Sequence, residues 1–297
     1  MYWVCLFFSC ALRAGSELLP PPFLPSMATE VNWVFSGLVT NELGEQFSYL
    51  FQMQRDGLRY HSVAALFDAE TKALLFQDEG FGEMTPELPY RWSAGHSFLR
   101  FNPINASWIL GVSTPDKQGF NFKIDMLNPE EKPLIQEQLR SGLSVVMSQT
   151  NLLNGHIRLG AERSEQFVTA SHAWMREISV LTPLENSHSV NGLLCHFKDG
   201  SSLYSLNLHE DDTQSGAVAG WFDKMGTAKT ISQFIDSHQL PEGAWEINVP
   251  LPRLHLLLAE SIKHNTITAG FAEDKTENAF CLLSQDELGM HALAPVV

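Results

Sequence analysis

Phe47-Ser48-Tyr49-Leu50-Phe51-Gln52-Met53-Gln54 sets aromatic or large apolar side chains at every second position and smaller or more polar ones between them. Successive side chains of a strand leave opposite faces, so this period-two pattern predicts a strand with one buried and one wetter face. A helix would instead repeat its apolar residues every three and four positions. Upstream, residues 33–40 read as a second strand, and Asn41-Glu42-Leu43-Gly44 supplies the turn. The pair is therefore expected as a hairpin. Arg55 follows the second strand and is expected near a rim, exposed to solvent or available to an anionic headgroup.

The same punctuation recurs along the chain. Residues 193–197 and 203–208 flank Lys198-Asp199-Gly200, where glycine accepts the positive φ of a tight turn. Asn154-Gly155 is expected to turn between residues 145–150 and 156–159. Trp245, Ile247 and Val249 alternate, Pro250 and Pro252 interrupt, and Leu254, Leu256 and Leu258 resume. Proline removes a ladder donor, so a kinked or edge strand is expected there. The most helix-like stretches are residues 130–140 and 228–238. Many short strands with little helix predict an all-β protein, a sandwich or an up-and-down antiparallel barrel. A change of pattern around residues 165–190 marks the expected division, drawn as 27–175 and 176–297.

The chain has 297 residues, 44% of them hydrophobic, enough for one large or two modest cores. With 19 Lys and Arg against 34 Asp and Glu, the formal charge of -15 repels phosphate backbones, so nucleic acid is not an expected partner. Cys5, Cys10, Cys195 and Cys281 have no metal-like spacing, and a single bridge between Cys195 and Cys281 would need them to meet in space. Residues 1–26 differ from the rest, with an apolar run before Arg13 and then Pro20, Pro21, Pro22 and Pro25. The run lacks a positive flank and is too short to span a bilayer. As a signal, or with Cys10 as a lipid-bearing cysteine, it implies a periplasmic or lipid-anchored protein; with Met27 as the true start, a cytoplasmic one. No later segment is apolar enough for a membrane span.

No phosphate-binding glycine loop, nucleophile elbow or His-Glu-x-x-His helix is present. No metal site and no cofactor are expected. The one stretch of mixed chemistry is Ser171-His172-Ala173-Trp174-Met175-Arg176-Glu177-Ile178-Ser179. As a strand it projects His172, Trp174 and Arg176 to one side and Ala173, Met175 and Glu177 to the other. It reads either as a cavity wall, with an aromatic plate beside a group able to move a proton, or as an ordinary core strand with charges at its rim. Trp33, Phe35, Trp92, Trp108, Trp221 and Trp245 likewise line a pocket or fill a barrel; filling is the default for each taken singly.

Asn32-Trp33-Val34-Phe35-Ser36-Gly37-Leu38, followed by residues 44–55 (GEQFSYLFQMQR), resembles the opening of the AttH and hydroxyneurosporene synthase family, the carotenoid 1,2-hydratase-like proteins. Residues 61–68 resemble that family's next strand. Ala173-Trp174-Met175 resembles the start of its Trp-Met-Asp-His-Glu-Trp motif, residues 197–204 its following hairpin, and residues 246–258 its late strand. The order is kept over most of residues 30–290. The resemblance implies two consecutive lipocalin-like antiparallel β-barrel domains around an apolar ligand. Where the motif continues Asp-His-Glu-Trp, however, this chain has Arg176, Glu177, Ile178 and Ser179.

A hydratase must protonate an alkene and deliver water to the cation, so losing the motif's acid and imidazole removes that chemistry from its expected place. The expectation is a lipocalin-like binder of a hydrophobic small molecule, an isoprenoid or a lipid, contacted by Trp33, Phe35, Arg55, Trp174 and Tyr204. The alternative is a hydratase, cyclase or isomerase with Glu177 or His172 as acid or base, Glu177 serving only if burial raises its pKa. A third class is a non-catalytic interaction protein. Oligomeric state is not legible.

Overall fold

The computed structural model describes residues 24–83, 90–126, 134–150, 152–182, 188–210, 213–225, 227–231, 235–250, 253–259, 262–264, 267–273 and 278–285. Among them every regular element is a strand, and no helix is long and apolar enough to cross a membrane.

The first sheet contains β1 (Glu30–Asn41), β2 (Gln46–Asp56), β3 (Arg59–Asp68), β4 (Leu74–Glu83), β5 (Arg91–Ala94), β6 (Ser97–Asn102), β7 (Ser107–Ser113), β8 (Gln118–Asp125), β9 (Leu134–Arg140), β10 (Leu143–Thr150), β11 (Leu153–Leu159) and β12 (Gln166–Val180). Its order is β4-β3-β2-β1-β12-β11-β8-β7-β6-β5. The two ends of that order meet: the Gly95 N–H donates to the Phe81 carbonyl at 3.0 Å, and Ser62 Oγ to the Ala94 carbonyl at 3.1 Å. The sheet thereby curls into a nearly closed barrel. β12 is long enough to pair with β11 over its first half and β10 over its second, so the β9-β10 hairpin branches away.

The second sheet contains β13 (His188–Phe197), β14 (Ser202–Glu210), β15 (Thr213–Phe222), β16 (Ala228–Thr230), β17 (Asp236–Gln239), β18 (Trp245–Val249), β19 (Leu254–Leu258), β20 (Ile262–His264), β21 (Ile267–Glu273) and β22 (Asn278–Ser284). Its order is β16-β15-β14-β13-β22-β21-β19-β18-β17, with β20 beside β21. The protein is thus two lipocalin-like antiparallel barrels in succession, all-β as the pattern predicts. The passage between sheets falls after Val180 and before His188, so the division drawn at 175/176 lies inside β12.

Alternation sorts the apolar residues into three cores. Trp33, Phe35, Tyr49, Phe51, Trp92 and Trp108 fill the first barrel. Cys195, Leu203, Trp245, Ile247, Leu256 and Cys281 fill the second, and the two cysteines, register partners on β13 and β22, form a disulfide. Between the barrels Val34, Leu50, Phe67, Trp174 and Ile178 pack against Val190, Leu206, Phe222, Phe271 and Phe280. Each such side chain contributes about 1.5–3 kcal/mol on burial. The ion pairs Lys72–Glu273 and Arg140–Glu210, which also join the sheets, are part-exposed and worth at most about 1 kcal/mol each. Apolar contact holds the barrels together.

This middle layer explains the first departure from expectation: β2 is buried on both faces, because the second barrel covers the side expected to be wet. Asn154-Gly155 is no turn. Both residues lie in β11, where a Cβ on Gly155 would come within 2.1 Å of the Asn121 carbonyl, so glycine here permits close strand approach. The helix-like stretches are strands β9, β16 and β17 where described, since pairing with β10, β15 and β18 overrides weak local propensity. Residues 130–133 lie outside the described residues. Finally, β18 is not at an edge. It sits between β17 and β19 and pairs with both; Pro252 lies outside the described residues.

Candidate functional site

β12 divides its side chains between two environments. Ala173 and Met175 belong to the first-barrel core, whereas Trp174 and Ile178 belong to the layer between barrels. Glu177 follows the parity of Met175. It is the register partner of Trp33 on β1, and the Trp33 indole N–H donates to Glu177 Oε2 at 2.8 Å. The backbone N–H of Ser26 donates to its other oxygen at 3.0 Å, within a segment whose Leu24 and Ala28 pack on the same core. Trp33 in turn lies 4.7 Å from Trp92 and 6.4 Å from Trp108, centroid to centroid. Burial pushes the Glu177 carboxyl up to about 7 from its ordinary 4.5, against the opposing pull of the Trp33 and Ser26 donors. The result is a carboxyl poised to exchange a proton near neutrality within an aromatic core.

Arg55 stands at the same end of this barrel. Its Nε donates to the Gly57 carbonyl at 3.0 Å, and its charge opposes the upward push that burial gives the Tyr60 phenol. It is part-buried rather than the exposed rim residue the sequence suggests.

The other face of β12 opens on a groove between the barrels. Leu38 and His172 are register partners at its edge. His172 Nδ1 is 3.0 Å from the Gln149 side-chain nitrogen, which donates to it. The Trp174 indole N–H donates to Ser202 Oγ at 2.9 Å, and that hydroxyl is left to donate weakly to His196 Nδ1 at 3.4 Å. His196 is therefore read as the tautomer with its proton on Nε2, a buried atom with no partner among the described residues. Burial first, and the His172 charge second, push His196 down to about 3, so it stays neutral. Around His172, His196, Ser201 and Ser202 lies a polar cleft of about 80 Å³. It shares Leu38, His196, Phe197 and Lys198 with a narrow apolar cleft of about 20 Å³ walled further by Phe271 and Phe280. Together they form one groove with an apolar run and a hydrogen-bonding end.

The residues singled out from sequence thus separate into two groups. Trp33, Phe35, Arg55 and Glu177 belong to the first barrel, while His172 lines the groove and Trp174 lies in the layer between the barrels. Tyr204 lies behind the groove, its ring 6.0 Å from Trp174 and 5.6 Å from Phe222. Sequence reading missed His196, Ser202 and Phe280. The strand parity of residues 193–197 and the turn before Ser202 were visible, but not that these residues would meet Trp174. Among the described residues no group of three or more His, Cys, Asp or Glu is placed to hold a metal ion.

No protein-family model matches the chain. No curated protein matches it either. Solved structures do. An AttH-type protein from Nitrosomonas europaea aligns with a TM-score of 0.61 at 12% identity, over 91% of this chain and 97% of that one. Kievitone hydratase from Nectria haematococca aligns with a TM-score of 0.63 at 12% identity, over 89% of this chain and 91% of the hydratase. The two-barrel fold is the fold of these proteins.

Proposed function

We propose that the protein binds a hydrophobic small molecule, an isoprenoid or a lipid, in the groove between its two barrels. The observation that carries this reading is the continuity of the groove: apolar walls of Leu38, Phe197, Phe271 and Phe280 lead to the polar end at His172, His196 and Ser202. Such a shape suits an apolar body with one hydrogen-bond acceptor at its end, which the His196 Nε2–H would satisfy. The sequence around Arg176 and Glu177 supports binding without the hydratase chemistry of the resembling family, because the residues replacing its acid and imidazole do not restore both groups. Binding is tested by titrating the protein with isoprenoid alcohols and fatty acids while following tryptophan emission. Saturable quenching that Leu38→Glu abolishes supports the groove; Leu38 is part-exposed and tolerates the charge. Saturable quenching that Leu38→Glu leaves unchanged moves the ligand elsewhere. No quenching by any member of the panel favours a protein that works only through its surface.

Glu177 favours a second reading, a hydratase, cyclase or isomerase acting on an isoprenoid-like substrate. A carboxyl titrating near 7 beside three indole rings can protonate an alkene and leave the cation against aromatic faces. His172, at the groove, is the alternative base. Incubating isoprenoid alkenes with the protein in deuterated water tests this: deuterium entering carbon in the wild type but not in Glu177→Gln supports acid catalysis from the first barrel. Kievitone hydratase shares the fold, and the activity in its name is that protein's own.

A further inference from the structure

The second barrel has a ligand-shaped feature of a different chemistry. On β14, Leu203 lies in the barrel core, and by alternation Ser205 and Asn207 continue the same interior face. Asn191 continues the face of Leu193 and Cys195 on β13, and Gln285 that of Cys281 and Leu283 after β22. One end of the interior is therefore apolar, with the disulfide among its side chains, and the other is polar. At the polar end lies a cleft of about 80 Å³ bordered by Asn191, Ser205, Asn207, Ser237 and Trp245, with Leu193, Ile235 and Leu283 as its apolar part.

Two buried polar atoms of its lining have no partner among the described residues: Trp245 Nε1, in a side chain 6% exposed, and Ser205 Oγ, in one 2% exposed. Buried indole and hydroxyl groups ordinarily find partners. They lie on different strands, β18 and β14, yet border the same cleft. Among the described residues, none that lines the cleft carries a charge. A carboxylate or ammonium entering here would lose hydration without meeting an opposite charge. A hydroxyl both donates and accepts, so it matches a lining that mixes an indole donor, a serine hydroxyl and amide groups of both kinds.

We propose that the open end of the second barrel is a binding site for a small neutral polyhydroxylated molecule, such as a monosaccharide or the glycerol moiety of a larger ligand. The site is separate from the groove between barrels and stands independently of the function proposed for it.

The full chain is tested by saturation-transfer NMR and calorimetry with glucose, galactose and glycerol, and with glucuronate and glucosamine as charged counterparts. Glucose or another neutral probe should bind at millimolar concentration and the charged ones about tenfold more weakly, the size of one lost hydrogen bond. Ser205→Ala should weaken neutral binding by a similar factor. Asn207→Asp, at a part-exposed position that tolerates the change, should shift preference toward glucosamine. Absence of saturation transfer with every neutral probe overturns the proposal. So does binding that is equal for charged and neutral probes, or that both variants leave unchanged.

Discussion

Glu177 and His196 are buried ionisable groups whose titrations act on stability in opposite directions. For Glu177 the folded state holds its proton up to about pH 7 while the unfolded chain releases it near 4.5, so its contribution declines as pH rises through that window. The size is on the order of 3 kcal/mol, from about 1.4 kcal/mol per pKa unit. His196 is neutral when folded down to about pH 3 but takes a proton near 6.5 when unfolded, so its contribution is complete above 6.5 and is lost as pH falls. Between 4.5 and 6.5 the two slopes oppose and largely cancel. Denaturation across this range should give a rising stability difference between Glu177→Gln and wild type, and the reverse slope for His196→Asn; parallel curves would contradict both burial assignments. Gly200 supplies a third residue-scale prediction. Its φ is +88°, and a Cβ there would meet His172 Nε2 at 2.4 Å. Gly200→Ala should cost about 1–2 kcal/mol of stability and displace His172 from Gln149, weakening groove binding, as urea unfolding and the quenching titration would register.

At the scale of elements, β12 and the β13-β22 pair organise the molecule. β12 is one strand with two duties: one face closes the first barrel and the other packs in the layer between barrels, with His172 at the groove. Its alternation was legible in the sequence, which placed His172 and Trp174 opposite Met175 and Glu177. The sequence did not tell which face met which neighbour, and so it gathered Trp33 and Trp174 into one pocket when the sheet lies between them. The β13-β22 pair carries the Cys195–Cys281 bridge across a sequence separation of 86. Closing so long a loop restricts the unfolded chain, and the double variant Cys195→Ala, Cys281→Ala should lose roughly 2–4 kcal/mol. Thiol titration after unfolding should find the pair blocked in the wild type; a free pair there would remove the basis for that loss.

For the whole molecule, the apolar layer between barrels predicts cooperative unfolding. Separating the barrels would expose Phe67, Trp174, Phe271 and Phe280 together, so neither barrel should melt alone. Calorimetry should give one transition for the wild type, and Phe280→Asp, which places an unpaired charge in the layer, should lower it or split it in two; two transitions in the wild type would mean the layer does not couple them. The amino-acid sequence by itself determined the β class, the opening hairpin, the Asp199-Gly200 turn and the division of β12 into two chemical faces, because period-two alternation and turn chemistry are local. Tertiary structure alone decided that both faces of β2 are dry, that weakly helical stretches become strands, that Cys195 meets Cys281, and that Glu177 faces the first-barrel core while His172 faces the groove. Those outcomes depend on contacts between residues distant in sequence, and an alternating pattern says that a face is buried without saying against what.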